Sequence, residues 1–382
     1  MRPAVLAASA MGLIAATYGL VRMGYGLFLP FFAETFAISA TVSGLIFSGT
    51  SVVFCLAAGI AYFQAGHRPR HVTIAAGATA AAGSVGIAVA GDVAVLGVSV
   101  VVAGAGAGFA SPAMIKLIER NIRSTRQNSM NTVVNSGNGL GLAFAGMLAL
   151  VLADSWRLAW ALVAAATLAA MCSVLTSDSR TRVQTVPAST VGNRTGIRAF
   201  GLPAVGAYTL GAGSAAVWVQ GRTLLQQVGQ IDVRASAGAW VILGAGGAAA
   251  ALLAGWLSRR TITVSWLITA TGTGAATAFI GLFPQTISMA YAASALFGFA
   301  FNAATSVLII WAGRIQADSS AAGTSLLFIA LAAGQASGSA LVGILIDQLG
   351  FSMAFSTAAG LCILSGLAGI GPTLGSENRR GE

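Results

Sequence analysis

Carboxylates are scarce in this chain, and none falls deep inside its long apolar runs. Only 8% of the 382 residues are charged, with 10 Asp and Glu against 20 Lys and Arg. A soluble protein carries about 25% charged residues, so this chain cannot coat a water-facing surface. Histidine is nearly absent: the 2 present, His67 and His71, share one short basic loop. The 3 cysteines, Cys55, Cys172 and Cys362, lie in separate apolar runs. Their number is odd, and their spacing fits neither metal ligation nor a disulfide framework. With no nucleophile, base or metal cluster at one depth, enzyme chemistry is excluded and no cofactor, metal or catalytic residue is expected. The glycine runs Gly104–Gly108 and Gly244–Gly247 precede no Lys, so they read as packing faces and not phosphate loops, which removes ATP-driven action. The net charge of +10 is dispersed over short loops without interleaved aromatics, which excludes a nucleic-acid partner.

What is abundant is apolar: 56% hydrophobic residues, a mean hydropathy of +0.83 and 49 glycines. The solvent for most of the surface must be a lipid bilayer, and the glycines mark helices that approach closely. Twelve runs are long enough to span: 5–33, 40–63, 72–91, 93–115, 129–153, 156–176, 200–222, 236–257, 262–283, 286–311, 321–346 and 352–372. Gly91-Asp92 and Asp154-Ser155 supply turns between closely spaced runs. The first run is too long for a signal peptide and reads as a span. The expected fold is an all-α membrane protein of 12 transmembrane helices.

Lys and Arg set the orientation. With both termini cytoplasmic, Arg68, Arg70, Lys116, Arg120, Arg123, Arg126, Arg259, Arg260 and Arg314 all fall inside, and only Arg157 and Arg234 fall outside. The acids Glu34, Asp92, Asp154, Asp232 and Asp347 take outer ends. A polar, Arg-rich stretch, 177–199, divides an N-terminal six-helix bundle (1–176) from a C-terminal one with a short tail (200–382). The halves echo each other. Ile38-Ser39 with Ser43-Gly44 opens the second span, and Ile231-Asp232 with Ser236 and Gly238 opens the eighth. Two such parallel repeats are a transporter architecture.

The chain resembles the major facilitator superfamily (MFS) along its whole length, in its twelve spans, inside termini and basic mid-chain linker. Gly19-Leu-Val-Arg22-Met-Gly-Tyr25-Gly-Leu-Phe-Leu-Pro30 is similar to the first span of the YbfB/YjiJ-like bacterial branch. Ser214-Ala-Ala-Val-Trp218-Val-Gln-Gly-Arg222 and Asn135-Ser-Gly137-Asn138-Gly-Leu-Gly141 resemble seventh- and fifth-span patterns there. The resemblance implies two pseudo-symmetric bundles rocking about a central site, in a bacterial inner membrane, and a chain acting as a monomer. Departures are clear. The loop motif between spans 2 and 3 keeps Gly59 and Gly66, but Phe63 and Gln64 replace its Asp and Arg, which puts the inner salt-bridge latch in doubt. In the second half Arg259 follows Gly255 where an Asp would stand. Val100–Ala103 lack an Arg, and Met147 follows Gly146 where an antiporter Pro would stand.

Candidate substrate-binding residues are polar groups at mid-span. Arg22 sits in the first apolar run with no acid beside it. A guanidinium in lipid costs from about 3 to more than 10 kcal/mol, so it faces protein or a water-filled cavity. Tyr18, Arg22 and Tyr25 fall at i, i+4 and i+7, one helical face that could hold an anion bidentately. The competing reading is an Arg bonded to carbonyls of a broken helix. Arg222, sharing a face with Trp218 and Gln226, either closes the outer side of the cavity or anchors at the interface beside a Trp belt. Asn135 and Asn138, Asn302 and Gln335 either line the cavity or bond between helices.

These residues point to a secondary active or facilitative transporter of a small organic solute, an anion or carboxylate, by alternating access. The alternative is efflux of hydrophobic drug-like compounds. With no deep carboxylate or His, the sequence leaves uniport, anion exchange and coupling through the substrate's own charge open.

Overall fold

Lipid cannot hydrogen-bond a bare backbone, so apolar spans must close their N–H and C=O groups internally. The computed structural model, which describes residues 3–152, 155–179, 199–316 and 320–370, does this with helices, and no strand occurs among the described residues. Helix α1 has three pieces: Pro3–Ile14, a π-helical stretch Ala15–Arg22, and Gly24–Phe36. Then come α2 (Ala40–Gln64), α3 (Pro69–Val89), α4 (Val93–Asn121), α5 (Ser124–Val151) and α6 (Trp156–Ser177). The second bundle holds α7 (Gly201–Gln227), α8 (Val233–Ala249, continued through Ala250–Leu253 and Ala254–Ser258), α9 (Ile262–Leu282) and α10 (Ile287–Ile315). Helices α11 (320–349) and α12 (351–365) are separated at Gly350, whose φ of 82° and ψ of 170° only glycine adopts readily.

Ten helical stretches are long and apolar enough to cross a membrane. One of them, Ala322–Gly369, is the α11–α12 pair. Helix α9 is also long enough, but its threonines dilute its hydropathy. Twelve spans result among the described residues. Several helices outrun the apolar runs at the Arg-rich ends: α4 continues to Asn121, α10 to Ile315, and α5 begins at Ser124. Intrahelical hydrogen bonding persists where the chain leaves hydrocarbon, so hydropathy underestimates helix length. The Asp154 turn and the linker residues 180–198, with their four Arg, lie outside the described residues.

The suspected repeat appears in the helix starts. Ser39 caps α2 by accepting from Val42 N, and Asp232 caps α8 by accepting from Arg234 N and Ala235 N. Two hydroxyls one turn further on are also equivalent. Ser43 accepts from Gln220, and Ser236 accepts from Arg222 and Gln226, so α7 reaches the second helix of both halves. Large apolar side chains such as Leu45, Leu56, Val98 and Phe144 face outward, as a lipid-solvated surface requires.

The halves meet through α2 against α11, α5 against α8, and α1 against α7. Gly26 is the tightest point, since a Cβ there would strike the carbonyl of Trp218. Gly44 and Gly343 bring α2 and α11 together in the same way. Asp347 of α11 accepts from Ala40 N (3.2 Å) and Thr41 N (2.8 Å) at the start of α2. A carboxylate from one half thus meets the positive end of a helix of the other.

Candidate functional site

The π-helical stretch decides where Arg22 points. Its wide turn ends with Met23 N–H donating to Tyr18 O at 3.0 Å. One extra residue per turn breaks the 3.6 periodicity, and such turns recur at functional sites. Helix α5 fits against this stretch because Gly141 and Gly19 carry no Cβ; either would strike the opposite backbone.

Arg22 is 4% exposed and sits between the halves. Its Nη2 donates to Ser51 Oγ of α2 (3.4 Å) and to Gln335 Oε1 of α11 (3.0 Å). Its Cζ lies 4.0 Å from the centroid of the Phe54 ring. Its Nε is buried without a partner. Every one of these contacts is neutral, and the described ion pairs do not include Arg22. Its hydrogen-bond partners are side chains of α2 and α11 and not carbonyls of its own helix. A guanidinium does not shed its proton in a protein, so a positive charge sits here without a counter-charge.

Tyr18 stays in the site, edge-on to Phe54 with centroids 5.8 Å apart. Tyr25 does not. It stacks on Phe32 and Phe47 and donates to Ser43 O at 3.2 Å. The i, i+7 face expected from a regular helix is lost to the wide turn, and Phe54 supplies the second ring instead. Gln335 is brought to Arg22 and accepts its hydrogen bond. Asn135 is exposed and Asn138 half-buried on α5, and neither is a hydrogen-bond partner of Arg22. Asn302 donates to Gly298 O of its own helix at 2.9 Å and lies over Gly247 of α8, so it serves helix packing.

Arg222 departs from both expectations. It is fully buried, and its Nε donates to Ser236 Oγ (3.1 Å), its Nη2 to Val233 O (2.9 Å) and its Nη1 to Leu27 O of the opposite half. The Phe31 ring lies 4.9 Å from its Cζ. Each of its three nitrogens makes a hydrogen bond within the protein, and its full burial keeps it from the membrane surface. Helix α7 runs on to Gln227, placing Arg222 more than a turn from its end. Trp218 is likewise no belt residue. It is buried edge-on against Phe297 and Phe301, at 5.2 and 5.3 Å.

The profile of the Major Facilitator Superfamily matches residues 11–314. This chain belongs to that superfamily. It is a transporter and not an enzyme. Among curated protein sequences no relative matches it. Solved structures share its fold. A bacterial homologue of the human lysosomal transporter Spinster, inward-facing and unoccupied, is 16% identical over 96% of this chain and 95% of its own, with a TM-score of 0.76. A mutant of the nucleoside transporter NupG is 12% identical over 96% and 99%, at 0.75. A POT family transporter in complex with 5-aminolevulinic acid is 13% identical over 96% and 94%, at 0.75.

Two features of the transporter escaped sequence reasoning. Ser51 and Phe54 complete the Arg22 site, yet one Ser and one Phe in an apolar run carry no distinguishing signal. The second feature is an ion-pair cluster at the Arg-rich end. Asp178, just past α6, has a fully buried side chain and accepts from Arg70 Nη1 (2.9 Å), Asn121 Nδ2 (3.0 Å) and Arg120. Burial pushes its pKa up, but the hydrogen bonds from Arg120, Asn121 and Arg70 more than offset this and hold it at about 2. An acid just past α6 thus ties the ends of α3, α4 and α6 of the first bundle together.

Proposed function

We propose that this transporter carries a small organic anion, with a carboxylate as the group that meets Arg22. The observation behind the reading is the guanidinium itself, buried between the halves, surrounded by Ser51, Gln335 and Phe54, and paired with no acid. A desolvated charge without a counter-ion is costly, and a bound anion removes that cost with charge-assisted hydrogen bonds. Gln335 belongs to the opposite half, so binding at Arg22 is coupled to the separation of the halves. That coupling is the minimum an alternating-access cycle needs. The positive-inside bias supports an orientation with the Asp178 end cytoplasmic and the Asp347 end outside. A bacterial inner membrane, a monomeric carrier and the YbfB/YjiJ-like branch accompany the reading through the first-span motif. Efflux of hydrophobic compounds draws no support from an unpaired cation in the path.

The test is counterflow in proteoliposomes, with and without a pH gradient, using radiolabelled carboxylates on the wild type and Arg22→Gln. Accumulation of an acid by the wild type, lost by at least tenfold in the variant, supports the reading. Equal transport by both removes Arg22 from the substrate path.

A further inference from the structure

The Arg22 site holds one positive charge, not two. Arg222, the other buried arginine among the described residues, has its three nitrogens bonded to Ser236, Leu27 O and Val233 O. The site also holds no negative charge. The acids nearest to a span interior, Glu34 and Asp347, stand at helix ends, and Asp347 is bonded to Ala40 N and Thr41 N. Around the guanidinium the surface is apolar: Phe54 clusters with Ala107 and Ala332, and Tyr18 and Cys55 pack against them. Gln335 and Ser51 are its neutral polar partners.

We infer that the substrate is a monoanion with an apolar or aromatic body, of the arylalkanoate type, and that zwitterions and dianions are rejected. This inference rests on the anion reading above and narrows it. A carboxylate on Arg22 neutralises the site once. A second carboxylate would be desolvated against Phe54, Ala107 and Ala332 with no cation to meet it. An ammonium group would be equally unmet, since among the described residues no carboxylate contacts Arg22 or its partners. An aromatic or aliphatic body, by contrast, replaces contacts with Phe54 and Tyr18 in kind. Discrimination here comes from what the site leaves unpaired for the wrong ligand, which is the strong form of selectivity.

The experiment uses the full-length protein in detergent and four probes of similar size: 3-phenylpropionate, benzoate, succinate and L-phenylalanine. Affinities are read by ligand-dependent thermal shift and by competition, for the wild type, Arg22→Gln and Gln335→Lys. The expected result is binding of 3-phenylpropionate at least tenfold tighter than succinate or L-phenylalanine, lost in Arg22→Gln. Gln335→Lys adds a second cation beside Arg22 and is expected to reverse the order in favour of succinate. Succinate or L-phenylalanine binding as tightly as 3-phenylpropionate, through Arg22, overturns the monoanion inference and leaves the anion reading standing. Binding that survives Arg22→Gln overturns both. No response to any probe also overturns the monoanion inference.

Discussion

Arg22 of α1 and Gln335 of α11 meet across the two halves of the transporter, Nη2 to Oε1 at 3.0 Å. The amide satisfies one donor of the guanidinium without neutralising it. On the proposed reading, a bound carboxylate would compete with Gln335 for Arg22. Replacing this amide by an acid is therefore diagnostic. Gln335→Glu should form an internal ion pair, raise the melting temperature of the ligand-free protein and abolish stabilisation by carboxylates. A variant that still responds to carboxylates like the wild type would show that they do not bind at Arg22.

Arg222 should behave as a structural tie. Arg222→Met removes the Arg222 donor from Leu27 O, and one of two side-chain donors from Val233 O, which Ser236 Oγ still meets. Leaving a buried acceptor without its partner costs about 1–3 kcal/mol. The expected phenotype is poor yield and a lowered melting temperature, with an unchanged KM in whatever protein reaches the membrane. A stable Arg222→Met protein with a KM raised tenfold would place Arg222 in the binding site after all.

Closure at the Asp347 end depends on one carboxylate holding two backbone N–H groups of α2. A recess of about 280 Å³ between the halves lies there, lined in part by Ser43, Gln220, Thr223 and Asp347. Asp347→Ala removes both hydrogen bonds. A cysteine placed at Ser43 should then react faster with a membrane-impermeant maleimide added outside, by tenfold or more. An unchanged labelling rate would mean that the glycine contacts of α2 with α11 suffice to seal this end.

Asp178 makes stability depend on acid pH. Its pKa in the folded protein is about 2, below the ordinary 3.8. Its contribution is fully present above the ordinary carboxylate range and is lost as pH falls from about 5 toward 2. Asp178→Asn should lower the melting temperature at neutral pH, by the equivalent of about 1–3 kcal/mol, and flatten the decline between pH 5 and about 3. Identical pH profiles for variant and wild type would show the cluster to be energetically idle.

A further acid, Asp232, illustrates how local signals carry over. Backbone N–H groups of Ala235 and Arg234 lower its pKa, as expected of an N-cap. Its place at the start of the eighth span, equivalent to Ser39 at the second, was legible in the sequence. The number of helices, the two halves and the anomalous charge of Arg22 were legible for the same reason. Each follows from hydropathy over about 20 residues, and hydropathy is a property of the local chain.

Composition and order of residues were sufficient to place this chain in lipid, to divide it into twelve helices and to single out Arg22, because lipid penalises every unpaired polar group wherever the fold puts it. They could not say which polar groups meet. Tertiary structure alone decided that Tyr25 turns away behind a π-helical turn, that Arg222 is locked by Leu27 O, Val233 O and Ser236, and that Asp178 gathers Arg70 and Arg120. Those pairings join residues up to hundreds of positions apart, and their geometry follows from how glycine-lined helices approach one another.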